Sequence, residues 1–151
     1  MQTPTRSLML RRDIQERTDP MQLCTYPLAH LGLRVSDLGR AKRFYIDTLG
    51  FGLLRESAGA VFMDAHGLLI ALLGPDEQTD AADRFDPFRV GLDHLALAIA
   101  DVGELEGLRR QLDAANVPNH GIEQDPLSGA TYISFYDPDG IAWELYAMPQ
   151  R

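Results

Sequence analysis

Two histidines and one glutamate stand at related places in this chain. His30 opens the segment HLGLRVSDLG (His30 to Gly39), and His94 opens HLALAIADVG (His94 to Gly103). Glu144 sits inside an otherwise apolar run, Ile141-Ala142-Trp143-Glu144-Leu145-Tyr146, which follows the turn-forming Asp137-Pro138-Asp139-Gly140. Two imidazoles and a carboxylate that meet in one cavity make a facial metal site. Such donors suit Fe(II), Mn(II), Zn(II), Co(II) or Ni(II) and leave positions open for water or substrate. A lone ionised Glu in a cavity is costly, and a dication removes that cost because its charge favours the carboxylate form.

These residues can meet only if strands aim them. Leu31, Leu33 and Val35 alternate with His30, Gly32 and Arg34, and Leu95, Leu97 and Ile99 alternate with His94, Ala96 and Ala98. Alternation puts each set on its own face of a strand. By the same rule Ile141, Trp143 and Leu145 share a core face, while Ala142, Glu144 and Tyr146 share the other. Glu144 therefore need not enter the apolar core. A curved sheet could gather His30, His94 and Glu144 into one concave space, with Tyr146 lining it.

The positioning elements repeat. His, Leu, Leu, Asp and Gly recur in order in the two opening segments, and FMDAHGLLIALLG (Phe62 to Gly74) recurs as FYDPDGIAWELYA (Phe135 to Ala147). This pattern is that of a duplicated module of roughly fifty residues. Ser36 or Asp37, and Asp101, suit helix N-caps. Leu38, Ala41, Phe44, Tyr45 and Leu49 run at helical spacing, with Gly50 as a left-handed stop. Val102, Leu105, Leu108 and Leu112 form a second stripe, ending near Asn116. Strands are predicted at Gly52 to Glu56, Ala60 to Met63 and Leu68 to Leu73, then at Gly121 to Gln124, Thr131 to Tyr136 and Ile141 to Ala147. The predicted class is α+β: two tandem βαβββ modules, 28–74 and 92–148. An acidic linker, 75–91, joins them, and 1–27 is an N-terminal extension in which Met21 is a second candidate start.

Composition narrows the partners. The chain has 151 residues, 45% of them apolar, enough for one domain with a real core. A net charge of -8 repels polyphosphate, which argues against nucleic acid. No apolar run is long enough to cross a membrane, and the first residues lack a signal-peptide pattern. The single cysteine, Cys24, forbids an intrachain disulfide and fits a reducing cytoplasm.

The segments HLGLRVSDLGRAKRFYIDTLGF, LDHLALAIAD and YDPDGIAWELY resemble the vicinal oxygen chelate superfamily over about Leu28 to Met148. That superfamily includes glyoxalase I, extradiol dioxygenases, methylmalonyl-CoA epimerase, fosfomycin-resistance thiol transferases and bleomycin-binding proteins. The resemblance implies curved mixed sheets that form a metal-binding cup, and a homodimer, with metal ligands on the first and last strands of each module. Three of those four positions carry ligands here: His30, His94 and Glu144. Aligning Gly67 with Gly140 puts Ala71 at the fourth, and alanine cannot ligate. The four-ligand pattern of glyoxalase I and the epimerase thus fits less well than the two-His, one-Glu pattern of the extradiol and fosfomycin enzymes. Arg34 resembles an arginine that glyoxalase I uses for a glutathione carboxylate, which would make it an anchor for an anionic substrate. Its alternative is a salt bridge to the acidic surface. His120 and Tyr132 are the available counterparts of the His and Tyr that extradiol enzymes place near oxygen.

The expectation is a small metal-dependent enzyme, a lyase, isomerase or dioxygenase. It would hold one divalent ion and a small oxygen-chelating substrate, with Arg34, Tyr132, Tyr146 and His120 as substrate contacts and no proton carrier identified. One rival is a metal-free binder of aromatic or glycopeptide-like drugs using Tyr132, Tyr146 and Phe62. Another is a noncatalytic partner acting through the N-terminal arm. Asp37 and Asp101 read as helix caps, Asp137 and Asp139 as turn residues, and His66 as an exposed turn residue. Whether one chain or two complete a cup stays open.

Overall fold

Alternation along the first strand decides which way each sheet faces. In the computed structural model, which describes residues 28–80 and 82–147, Leu33 and Val35 are buried while His30, Gly32 and Arg34 are exposed. The N-terminal extension, Met21, Cys24 and Met148 lie outside the described residues. The first module runs β1 (His30–Arg34), α1 (Leu38–Arg43), a π-helical turn (Phe44–Thr48), β2 (Gly52–Glu56), β3 (Ala60–Ala65) and β4 (Leu68–Leu73). The second runs β5 (Leu95–Ile99), α2 (Glu104–Ala114), β6 (Asn119–Gln124), β7 (Thr131–Tyr136) and β8 (Ala142–Ala147). Two βαβββ modules with curved, open sheets result.

The sheets share one topology, β1-β4-β3-β2 and β5-β8-β7-β6. First and last strands pair in parallel and the others antiparallel. Gly32 lies opposite Ala71, as Ala96 lies opposite Glu144. Ala71 is therefore the spatial counterpart of Glu144. The hairpins differ. β3 and β4 close through His66 and Gly67, whose φ values of 53° and 97° supply the two left-handed residues of a tight hairpin turn. The β7–β8 ladder stops at Tyr136 and Ala142, leaving 137–141 as a longer loop that includes Ile141. This breaks the sequence match of Phe62 with Phe135. Phe62 faces Ala71 on the open side, whereas Phe135 faces Trp143 in the core.

Both sheets turn their apolar faces to a single core shared with the helices. Asp37 caps α1, its Oδ1 accepting from the Arg40 N–H at 2.9 Å. The following π-helical turn lets consecutive Phe44 and Tyr45 both reach the interior. Phe44 packs against Phe135 at 6.2 Å and Tyr45 against Trp143 at 5.7 Å, tying the first helix to the second sheet. Gly50 stops this segment at φ 76°. Asp101 Oδ1 accepts from Gly103 N–H, and α2 starts one residue later. Val102 thus precedes the helix and is exposed, a departure from the predicted stripe, while Leu105 and Leu112 are buried. The helix ends at Ala114, and Asn116 turns the chain at φ 55°.

Two buried carboxylates lock the modules. Asp137 Oδ1 accepts from the N–H groups of Asp139 at 2.9 Å and Ile141 at 2.7 Å. Its Oδ2 accepts from the Tyr45 hydroxyl at 2.7 Å, and the Tyr45 hydroxyl oxygen accepts from Trp143 Nε1 at 3.0 Å. Asp139 accepts from the Ser36 hydroxyl at 2.5 Å and from Arg40 Nη2 at 2.9 Å. Burial raises the Asp137 carboxyl above its ordinary 3.8, opposed by the Tyr45 hydroxyl and the backbone donors. Burial also pushes the Tyr45 phenol up, reinforced by the charge of Asp137.

Asp137→Ala strands three donors in the interior and is expected to cost about 3 kcal/mol, read from urea unfolding midpoints. A carboxyl with a raised folded value stabilises most below its unfolded value. The wild type's advantage over Asp137→Ala should therefore be largest below about pH 4 and shrink as pH rises through the raised value.

Candidate functional site

The open face of the second sheet carries a cavity of about 430 Å³. His94 enters from just before β5, Glu144 and Tyr146 from β8, Tyr132 from β7 and Asp125 from the β6–β7 loop. The alternating Ala96 and Ala98 leave the floor low. Small residues opposite Glu144 and Tyr146 keep the space unfilled, since Ala96 pairs with Glu144 and Ala98 with Tyr146.

His94 stands between two carboxylates. Its Nδ1 lies 2.6 Å from Asp93 Oδ1, and its Nε2 lies 3.3 Å from Glu144 Oε2. A neutral imidazole has one N–H. If Nδ1 donates to Asp93, Nε2 points a lone pair at a carboxylate oxygen. A metal ion set between the two groups would be bound by both. A histidine oriented by a carboxylate on its far nitrogen is the usual arrangement of a metal ligand. His94 and Glu144 thus have the donor chemistry and orientation for a divalent ion.

His30 lies elsewhere, exposed at the start of β1 in the first sheet. It does not line the cavity of His94 and Glu144. Among the described residues, no three His, Cys, Asp or Glu side chains of one chain converge closely enough to hold an ion. Arg34 shares the open face of β1 with His30. Its Nη1 donates to Gly74 O at 2.6 Å and pairs with Asp76 Oδ2 at 3.0 Å. It borders a separate cavity of about 440 Å³ between β1 and the linker. His120 is exposed on β6, with its ring 6.4 Å from that of Tyr136, outside the His94 cavity.

Tyr132 and Tyr146 form one wall, stacked at 5.5 Å and 26°. The Tyr146 hydroxyl donates to Asp125 Oδ2, and the Ser128 hydroxyl donates to the same oxygen at 2.6 Å. The Ser128 and Tyr146 hydroxyls, with the Leu127 N–H, hold the Asp125 carboxyl down at about 2. The bond to Asp125 in turn raises the Tyr146 phenol. Desolvation, helped by Glu123, raises Tyr132. Sequence reasoning missed Asp93 and Asp125. Asp93 had a visible signal, a carboxylate immediately before a candidate ligand. Asp125 had only a turn-like context, Asp125-Pro126-Leu127-Ser128-Gly129.

The profile of the Glyoxalase/Bleomycin resistance protein/Dioxygenase superfamily matches residues 28–145. A lactoylglutathione lyase of Haemophilus influenzae is 32% identical over 130 residues, 78% of this chain and 90% of that protein. A catechol-2,3-dioxygenase of Bacillus subtilis is 31% identical over 123 residues, 72% of this chain but 40% of that protein. Among solved structures, a glyoxylase/bleomycin resistance protein/dioxygenase domain from Frankia sp. EAN1pec superposes with a TM-score of 0.71 at 27% identity, covering 83% of this chain and 99% of that one.

Carbon-detected NMR titration should find the Asp125 carboxyl near 2. Ser128→Ala and Tyr146→Phe should each move its midpoint up toward 3.8, because each removes a donor to the ionised form.

Proposed function

The chain belongs to the Glyoxalase/Bleomycin resistance protein/Dioxygenase superfamily, and on that footing we propose that it is a divalent-metal-dependent enzyme. The ion would be held by His94 and Glu144 of one copy and His30 of a second copy, in a homodimer. The observation that carries this reading is the contact of His94 Nε2 with Glu144 while Asp93 occupies the other ring nitrogen. Ala71 at the position matching Glu144 leaves a set of two histidines and one carboxylate, which suits Fe, Mn, Zn, Ni or Co.

A bound dication supplies Lewis acidity toward a substrate with adjacent oxygens, or dioxygen chemistry if it is iron. The chain's own residues do the rest. Asp93 fixes the His94 tautomer. The Tyr132–Tyr146 stack presents a flat wall to a planar group. Asp125 and Ser128 keep the Tyr146 hydroxyl turned to the loop, so that its ring rather than its hydroxyl is fixed beside Glu144. Arg34 comes to a shared cup with His30, because both lie on the open face of β1, and offers a rim guanidinium to an acidic substrate. The choice between lyase, isomerase and dioxygenase chemistry then rests on the ion. The rival metal-free binder reading draws on the same tyrosine stack, but Phe62 lies on the other sheet and cannot join it within one chain.

Metal analysis of tag-free protein should find about one Fe, Mn, Zn, Ni or Co per chain, lost in Glu144→Gln. Asp93→Ala should keep the fold and weaken metal affinity about 10- to 100-fold. Mixing refolded His30→Ala with Glu144→Gln chains separates a shared cup from a single-chain cup. Random pairing restores about a quarter of the sites if ligands come from two copies, and none if they come from one. Protein that takes up no ion after reconstitution with any of the five overturns the enzyme reading in favour of the binder.

A further inference from the structure

The two module junctions are built from the same repeat but filled differently. Counting from His30 and His94, the residues Arg40 and Phe44 correspond to Glu104 and Leu108. At the first junction the 137–141 loop reaches the start of α1, and Arg40 meets Asp139. At the second junction the matching hairpin is only the tight His66–Gly67 turn. Among the described residues no hydrogen bond or ion pair joins that turn to α2, and a cavity of about 400 Å³ remains between the two modules. Phe51, Leu97, Ile99, Leu108 and Leu145 give it apolar walls. Glu104, at the place of Arg40, puts a carboxylate on its edge. This carboxylate makes no ion pair among the described residues, in contrast to Arg40. Gly107 opens the wall further, since a Cβ there would meet only the Arg110 side chain at 3.9 Å.

The volume is that of an ordinary small-molecule pocket. Its chemistry is a largely apolar chamber with the exposed Glu104 carboxylate on its edge and His66 and Gln111 also in its lining, on a chain whose net charge of -8 draws cations. We propose that this junction cavity binds a small primary ammonium compound with an apolar tail. The tail packs among Phe51, Leu97, Leu108 and Leu145, and the ammonium pairs with Glu104. The site is separate from His94 and Glu144, which face the opposite side of the second sheet, so it does not depend on the metal reading.

Calorimetry and amide NMR on the full chain test this with phenethylammonium and its neutral counterpart 2-phenylethanol. Expected are saturable binding of one amine per chain, with shifts confined to β5, α2, the His66 turn and the neighbourhoods of Phe51 and Leu145, and about two- to fivefold weaker binding of the alcohol. Glu104→Gln should weaken the amine by about two- to fivefold, the range of an exposed ion pair. Gly107→Leu should abolish binding by filling the chamber, and it is a helix-favouring change that keeps the fold. Metal content should stay at the wild-type level in both variants. Absence of saturable amine binding, equal binding of the alcohol, or unchanged affinity in both variants overturns the proposal.

Discussion

The structure hinges on carboxylates buried where two half-cores meet. Each module's open sheet is built from its own strands alone, and among the described residues no backbone ladder crosses from one module to the other. What crosses is side-chain chemistry: Tyr45 donates to Asp137 and accepts from Trp143, and Ser36 and Arg40 donate to Asp139. A buried carboxylate is tolerable only with its acceptors filled, so the positions of α1, β8 and the loop between β7 and β8 are set together. The strand that carries Glu144 begins at the end of that loop. The lock therefore sets where the carboxylate of the candidate site stands, although none of its members touches the cavity.

Duplication gave the chain two copies of one frame, and divergence gave them different work. On the open faces, Ala71 occupies the place of Glu144, so only the second sheet offers a carboxylate. At the junctions, a long loop with two aspartates answers a tight turn with a histidine. Opposite charges at Arg40 and Glu104 follow the same division. Fold alone does not choose a reaction. The asymmetries are where choice enters, because they decide which donors and which empty volumes survive.

Much of the frame was legible because periodicity is a strong physical signal. The faces of β1 and β5, the cap at Asp37, the stop at Gly50 and the place of Ala71 all follow from alternation, capping chemistry and the repeat. Phe62 and Phe135 show where the repeat misleads. Hairpins of unequal length shift one strand by a residue, and a one-residue shift moves a side chain to the other face. Asp137 and Asp139 read correctly as turn residues, but their reach across the interior could not be seen without knowing that Tyr45 and Arg40 face them. Arg34 reads from sequence either as an anchor for an anionic substrate or as a salt bridge to the acidic surface, and in the fold it is paired with Asp76. His30 and His94 are alike in sequence yet lie on different sheets, because a repeat reports equivalence and not proximity.

β1 and β5 are both outermost strands of open sheets, and each presents one of the two histidines at its start. An outermost strand keeps one row of backbone donors and acceptors free for another chain. If the donors to one ion are divided between such strands of two copies, ion uptake depends on encounters between molecules. Under a shared cup, loading and assembly become one mass-action equilibrium. Dilution would then release the ion as well as separate the copies, and an excess of ion would hold the copies together.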